Sequence, residues 1–327
     1  MRLIMMGTGP FAVPTFRTLY QRGHELLALV TQPVRPAKGD RGPPPSPMRV
    51  VAQEHGTPIL DPDSVNTPEA RAMLAALEPE LFIVADYGQI LSPETLAVAR
   101  HGGINLHGSL LPKYRGAAPI NWAIYHGDPE TGVTVIHMTP QIDAGPLLAQ
   151  ASLPIDPTEN AVQLETRLAE LGAPLVAETI ERLARGEATS LVQDKSLASP
   201  ARRLRKTDGE VAWSRSAAQI SNQVRALEPW PRTSTFWHRA KGPPLRLILG
   251  RVSTLSSESS LPIGVEPGTV VAADASGLLV ATGEGLLRID ELQPAGKRML
   301  SAAEFLRGYP VAAGDRLGPE TALGRSV

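Results

Sequence analysis

MRLIMMGTGPFA (residues 1–12) reads as a strand that runs through a glycine turn into a helix. Residues 2–6 are apolar apart from Arg2, and Gly7-Thr8-Gly9 permits a tight change of direction. Residues 11–21 then repeat apolar side chains at helical spacing, with Pro14 in the first turn, where a missing N–H costs nothing. Working outward, the same unit recurs. Strand candidates at 25–31, 81–85, 103–107 and 133–138 alternate with helix candidates at 48–55, 68–77, 93–99 and 117–125. This βαβ rhythm predicts an α/β fold built on a mostly parallel sheet.

A chain of 327 residues exceeds the common size of one domain, and the pattern changes past its middle. Residues 160–185 form a long helical stretch, expected to bend near Gly172 and Pro174, after which residues 186–200 lose periodicity. A helix candidate at 217–227 is followed by short strand-like runs at 245–252, 268–273, 277–282 and 286–292, separated by Gly and Pro, which suggests a small β-barrel. The expected organisation is a first domain at 1–185, a linker at 186–203, a second domain at 204–310 and a tail at 311–327. The segment QPVRPAKGDRGPPPSP (32–47) is too rich in proline and glycine for regular structure.

The net charge of −1 hides an asymmetry. Residues 196–327 carry 17 basic against 12 acidic side chains, and residues 1–195 carry 15 against 21, so the second part suits either a polyanionic partner or an ordinary solvated surface. No apolar run approaches twenty residues, and the start lacks the h-region and cleavage pattern of a signal peptide. A membrane association is therefore not expected, and the absence of cysteine, which excludes disulfides and thiolate metal sites, agrees with a reducing cytoplasm.

Gly7-Thr8-Gly9-Pro10-Phe11-Ala12 fits G-x-G-x-x-A, but a dinucleotide site also needs an acidic residue at the end of the second strand, and here that strand ends Val30-Thr31-Gln32. A tight turn or an anion site at the helix N-terminus is the better reading. The seven histidines include no H-E-x-x-H pair, so no metal site is expected, and Ser109 lacks the G-x-S-x-G elbow. What stands out is INLHGSLLPKYRG (104–116). Along a strand Asn105 and His107 point to the same face, at the carboxyl end where open α/β sheets bind ligands. The later strand VTVIHM feeds TPQIDAGP and is expected to deliver Asp143 at a second carboxyl end. Such a trio suits acyl transfer to an amine: amide and imidazole N–H groups donate to a developing oxyanion, and a carboxylate orients the imidazole and helps remove the amine proton.

The run from Ile104 to Gln150 resembles the signature of the 10-formyltetrahydrofolate-dependent formyltransferases, and ADYGQILS (85–92) resembles their folate-pocket strand and loop. QPVRPAKGDRGPPPSPMRVVAQEHGTPIL (32–60), KTDGEVAWSRSAAQISNQVRALEPWP (206–231) and ELQPAGKRMLSAAEFLRG (291–308) are similar to the branch that formylates methionyl-initiator tRNA. The resemblance implies a Rossmann-like first domain, an OB-like barrel second, and 10-formyltetrahydrofolate as formyl donor with no metal. It places the catalytic residues at Asn105, His107 and Asp143. The folate contacts fall on Tyr87, Gly88, Gln89, Ile90 and Leu91, on Ser109, Leu110, Leu111 and Pro112, and on Thr139, Pro140, Gln141 and Ile142. Contacts to tRNA are expected from Arg35, Lys38 and Arg41 in the proline-rich loop and from Arg202, Arg203, Arg205 and Lys206, with a monomer as the working unit. Two departures are visible: the first turn reads GTGPF where the family has G-T-P-x-F, and the loop has Lys38 and Arg41 around Asp40 instead of a denser basic cluster. A sugar-nucleotide formyltransferase, or a non-catalytic folate- or RNA-binding protein, is the alternative reading.

Overall fold

Burial of alternate side chains along short strands is what assembles the first half of the chain. In the computed structural model, which describes residues 1–34, 46–239, 241–255, 264–274 and 276–321, Leu3–Met6 of strand β1 (Arg2–Met6) are fully buried. A short 3-10 turn at Pro10–Ala12 leads into α1 (Val13–Gln21), then come β2 (Glu25–Val30), α2 (Pro47–Glu54) and β3 (Ile59–Leu60). They are followed by α3 (Pro68–Ala76), β4 (Leu81–Val84), α4 (Pro93–Leu96) and β5 (Gly103–His107). Proline opens α2, α3 and α4 inside the first turn, and the hydroxyls of Thr67 and Ser92 cap α3 and α4. One face of the sheet packs Ile4, Met6, Phe82 and Val84 against Leu74, Leu91 and Leu96. Each such side chain contributes about 1.5–3 kcal/mol on burial, more than strand propensity supplies.

The sheet continues through β6 (Arg115–Gly116), which lies outside it, and α5 (Pro119–His126) to β7 (Glu130–His137) and β8 (Leu147–Pro154). Its order is β3-β2-β1-β4-β5-β7-β8, parallel from β3 to β5 and antiparallel at β5–β7 and β7–β8. Two expectations need correction. LLAQASLP, for which no strand was expected, is the edge strand β8; its exposed outer side needs no continuous apolar run, so the signal is weak. Because β7 runs antiparallel, its last residue His137 pairs with Ile104 at the start of β5, not with His107 at the end. Asp143 is therefore brought back toward His107 by the connection between β7 and β8.

Helix α6 (Ala161–Ala184) runs as one element through Gly172 and Pro174. The expected linker is not loose. Leu191 bridges Leu147, and β9 (Pro200–Ala201) pairs with β6, so residues 163–202 fold with the first unit. Residues 121–129 and 156–162, in turn, pack with the second.

The second unit begins with α7 (Ala217–Ala226), entered through a reciprocal cap between Ser216 and Gln219. Strands β10 (Thr233–His238), β11 (Leu245–Leu249), β12 (Val252–Thr254), β13 (Val270–Asp274), β14 (Gly277–Ala281), β15 (Leu286–Ile289), β16 (Glu291–Pro294) and β17 (Leu300–Ser301) follow. Last come α8 (Ala302–Gly308) and β18 (Arg316–Gly318). They form two antiparallel sheets, β17-β16-β11-β10-β18 and β12-β15-β14-β13, around a core that includes Trp237, Leu247, Leu287 and Phe305. The chain crosses from one sheet to the other at Gly250 and at Asp290, and Thr269 bridges Arg316, so the ladder closes as the barrel pattern predicts. Residues after 310 are not merely a tail: β18 pairs with β10, and Trp237 donates its indole N–H to Asp315.

Candidate active site

The carboxyl ends of β4 and β5 open onto a cleft of about 630 Å³, solvent at its mouth included. One wall is Tyr87, Gly88, Gln89, Ile90 and Leu91; the other is Met138, Thr139, Pro140, Gln141, Ile142 and Asp143; Val84, Asn105 and Ile136 form the floor. Nine of the residues expected to touch folate thus face one another. Ile90 is 61% exposed and Ile142 55%, which leaves two apolar lips available to a flat ring.

The wall at residues 87–91 is held by specific polar contacts. Asn66 donates to the Ile90 carbonyl at 2.8 Å and accepts from Ser92 N, and the Gln89 carboxamide accepts from Val65 N at 2.8 Å. Tyr87 turns into the core, where burial pushes its hydroxyl up to about 12. The stretch Ser109, Leu110, Leu111 and Pro112 does not line the cleft. Ser109 is fully buried and donates to the Lys113 carbonyl, and Leu111 packs with Ile136 and Leu147.

Asn105 faces the cleft and His107 lies under the 108–116 loop, 6% exposed. Its Nε2 is 2.8 Å from the Tyr114 carbonyl, which can only accept, so Nε2 carries a proton. Its Nδ1 is 3.6 Å from Asp143 Oδ2, and that oxygen accepts a 2.8 Å hydrogen bond from Gly116 N. One short turn, 114–116, therefore holds both partners. Pairing of β6 with β9 fixes the turn in place.

Gly116 has φ +124°, and a Cβ there would fall 2.6 Å from the Ala201 carbonyl oxygen. Gly116→Ala is therefore expected to lower unfolding free energy by about 1–3 kcal/mol and to slow the reaction, read by denaturant titration and initial rates. A variant as stable and active as the parent would show that the turn tolerates a shift.

The Gly7-Thr8-Gly9 turn is not an anion site. A Cβ on Gly9 would fall 1.7 Å from Asp86 Oδ2, so the second glycine makes room for a carboxylate that repels phosphate. Desolvation pushes this carboxyl up to about 6.

Arg202, Arg203, Arg205 and Lys206 are all exposed, interleaved with buried Ala201 and Leu204. Arg35, Lys38 and Arg41 lie outside the described residues. Among the described residues no three His, Cys, Asp or Glu side chains gather as metal ligands. Four residues that shape the site went unnoticed in the sequence: Tyr114, Gly116, Met138 and Gln193. Tyr114, Gly116 and Met138 lie in segments the sequence singles out, and Gln193 does not.

A mostly parallel α/β sheet that presents a carboxamide and a carboxylate-backed imidazole beside an apolar-lipped cleft has the groups that group transfer requires. The chain belongs to the formyl transferase family: residues 1–180 match the family Formyl transferase and residues 203–310 match Formyl transferase, C-terminal domain. It is 43% identical over 322 residues, 98% of each chain, to a protein of Citrifermentans bemidjiense named methionyl-tRNA formyltransferase. A Geobacter sulfurreducens protein of the same name is 43% identical over 319 residues, 97% of each chain. Among solved structures, the N-formyltransferase of Helicobacter canadensis, in complex with folinic acid and dTDP-3-aminofucose, matches with a TM-score of 0.66 at 17% identity, covering 89% of this chain and 98% of that one. HypX from Aquifex aeolicus in complex with tetrahydrofolic acid matches with a TM-score of 0.62 at 17% identity, covering 94% of this chain and 47% of that one.

Proposed function

We propose that this chain transfers the formyl group of 10-formyltetrahydrofolate to the α-amine of methionine esterified to initiator tRNA. The near full-length match to proteins of that activity, at 43% identity, carries the reading. The sugar formyltransferases resemble the chain at 14–17% identity, which speaks for a shared fold alone.

The α-amine attacks the formyl carbon, a new C–N bond forms, the bond to N10 breaks, and the amine proton passes to N10. A free α-amine titrates at about 7.7–8.0, so part of it is neutral and nucleophilic near pH 7. Asn105 donates to the oxyanion from the cleft floor. His107, with Nε2 committed to Tyr114, has Nδ1 left for proton exchange, and Asp143 stabilises positive charge that appears on the ring. The pterin ring lies between Ile90 and Ile142, edged by main-chain groups of residues 87–91 and 139–142.

On this reading chemistry belongs to residues 1–185 and RNA capture to 204–310, and the enzyme works in the cytoplasm as a monomer. No helix among the described residues is long and apolar enough to cross a membrane. Incubating the protein with 10-formyltetrahydrofolate and methionyl-initiator tRNA is expected to yield formylmethionine. Formylation of a nucleotide-linked amino sugar in its place would overturn the reading.

Capture of tRNA is expected to weaken as salt rises. Replacing Arg203, Arg205 and Lys206 together by alanine should reduce the log–log salt slope by about 2 units if each meets a phosphate, equally for initiator and elongator tRNA. Anisotropy titrations measure this; an unchanged slope would leave these side chains as solvated surface.

A further inference from the structure

Gln193 lies in the segment between α6 and β9, far along the chain from the cleft, yet it is 5% exposed and its carboxamide is fully used. Its Nε2 donates to the Asp143 carbonyl at 2.8 Å and to the Gly145 carbonyl at 2.7 Å. Its Oε1 accepts from Arg115 Nε at 3.1 Å and Nη2 at 2.6 Å. Two carbonyls at one end and a guanidinium at the other leave the amide a single orientation, because only the NH₂ can serve the first and only the oxygen the second.

These contacts close a ring. Arg115 precedes Gly116, whose N–H holds Asp143 Oδ2, and Gln193 ties Arg115 to the main chain of Asp143 itself. Asp143 has φ +51°, a left-handed conformation that a non-glycine residue adopts only when its surroundings impose it. Gln193 supplies that restraint from outside the turn. Gln193 does not itself line the cleft and reaches Asp143 only at its main-chain carbonyl, so any influence on the reaction passes through the place of the Asp143 carboxylate.

We propose that Gln193 is a positioning residue for formyl transfer, one that holds the Asp143 turn so that the carboxylate stays beside His107 Nδ1. This rests on the reading of Asp143 and His107 given above.

The test compares Gln193→Met and Gln193→Glu in two backgrounds, wild type and Asp143→Asn, by single-turnover formyl transfer, folate titration and thermal melting on the full chain. Gln193→Met removes all four hydrogen bonds at similar volume. Gln193→Glu keeps an acceptor for Arg115 and loses only the donors to the two carbonyls, and it carries the comparison should the methionine variant not fold. In wild type, each variant is expected to slow the chemical step about 10- to 100-fold with the folate Kd changing less than about threefold. In the Asp143→Asn background the same changes should cost less than about threefold, since the group they position has already lost its charge. Wild-type rates in the Gln193 variants, or an equal fold-loss in both backgrounds, would reduce Gln193 to ordinary packing. If Asp143→Asn alone left the rate unchanged, the assignment of Asp143 would fall, and the proposal with it.

Discussion

Asn105→Ala and His107→Ala are each expected to slow single-turnover formyl transfer by about 10²–10³-fold while the folate Kd moves less than about threefold. Asn105 offers its amide from the floor of the cleft, where an oxyanion would develop as the amine adds to the formyl carbon. Such a contact strengthens in the transition state, so its loss shows in the rate and hardly in ground-state binding. Removing one such donor costs about 2.7–4 kcal/mol of barrier. His107 should behave alike for a different reason. Its Nε2 is fixed on the Tyr114 carbonyl, so alanine removes the group that exchanges the amine proton together with a buried hydrogen bond. His107→Ala is therefore expected to melt at a lower temperature than Asn105→Ala, and His107→Gln should recover part of that stability without recovering the rate. Rapid-quench assays and folate titrations on the same preparations separate the two effects. A variant whose rate falls only as far as its folate affinity would identify that residue as a binder.

The parts of this architecture that rest on local pattern were legible in the sequence, and those that rest on contacts between distant segments were not. Residues 2–6 and 103–107 were predicted at their observed bounds, because a buried central strand needs an apolar run and leaves a plain signal. The glycine turn after β1 was legible as a turn but not in its purpose, since Asp86, which fills it, comes from the end of another strand. Asn105 and His107 were legible from their shared strand face together with their place at a carboxyl end of an open sheet. Their geometry was not: the antiparallel entry of β7 reverses the end at which its last residue lies, and pairing direction leaves no mark in a strand of eight residues.

The segment at 186–203 shows the same limit from the other side. It has no periodicity and reads as a linker, yet its backbone pairs with Leu147 and with Arg115–Gly116, and Gln193 bonds the main chain of the Asp143 turn. Hydrogen bonds made residue by residue to distant partners impose no repeat on the sequence. The same holds for Ser109–Pro112. They stand inside a recognisable motif and are still not part of the cleft lining, and Ser109 and Leu111 anchor the loop that covers His107.

Asp143→Asn is expected to slow formyl transfer by roughly 10²–10⁴-fold with almost no loss of stability, because it removes one charge and little else. The backbone at Asp143 is left-handed, φ +51°, a conformation in which Asn and Asp are the commonest non-glycine residues, so the asparagine keeps the turn. Its side-chain oxygen can still accept from Gly116 N, and Gln193 still holds the main chain. What disappears is the negative charge 3.6 Å from His107 Nδ1. At that distance the contact is electrostatic more than a hydrogen bond. Asp143→Ala is the weaker test, since it also strains the turn and confuses geometry with charge. The melting temperature of Asp143→Asn should therefore match the parent within a degree or two while the rate collapses, and Asp143→Ala should lose both. A near-normal rate for Asp143→Asn in single-turnover assays would mean that the carboxylate only shapes the turn, and proton transfer would then have to be assigned to His107 and solvent alone.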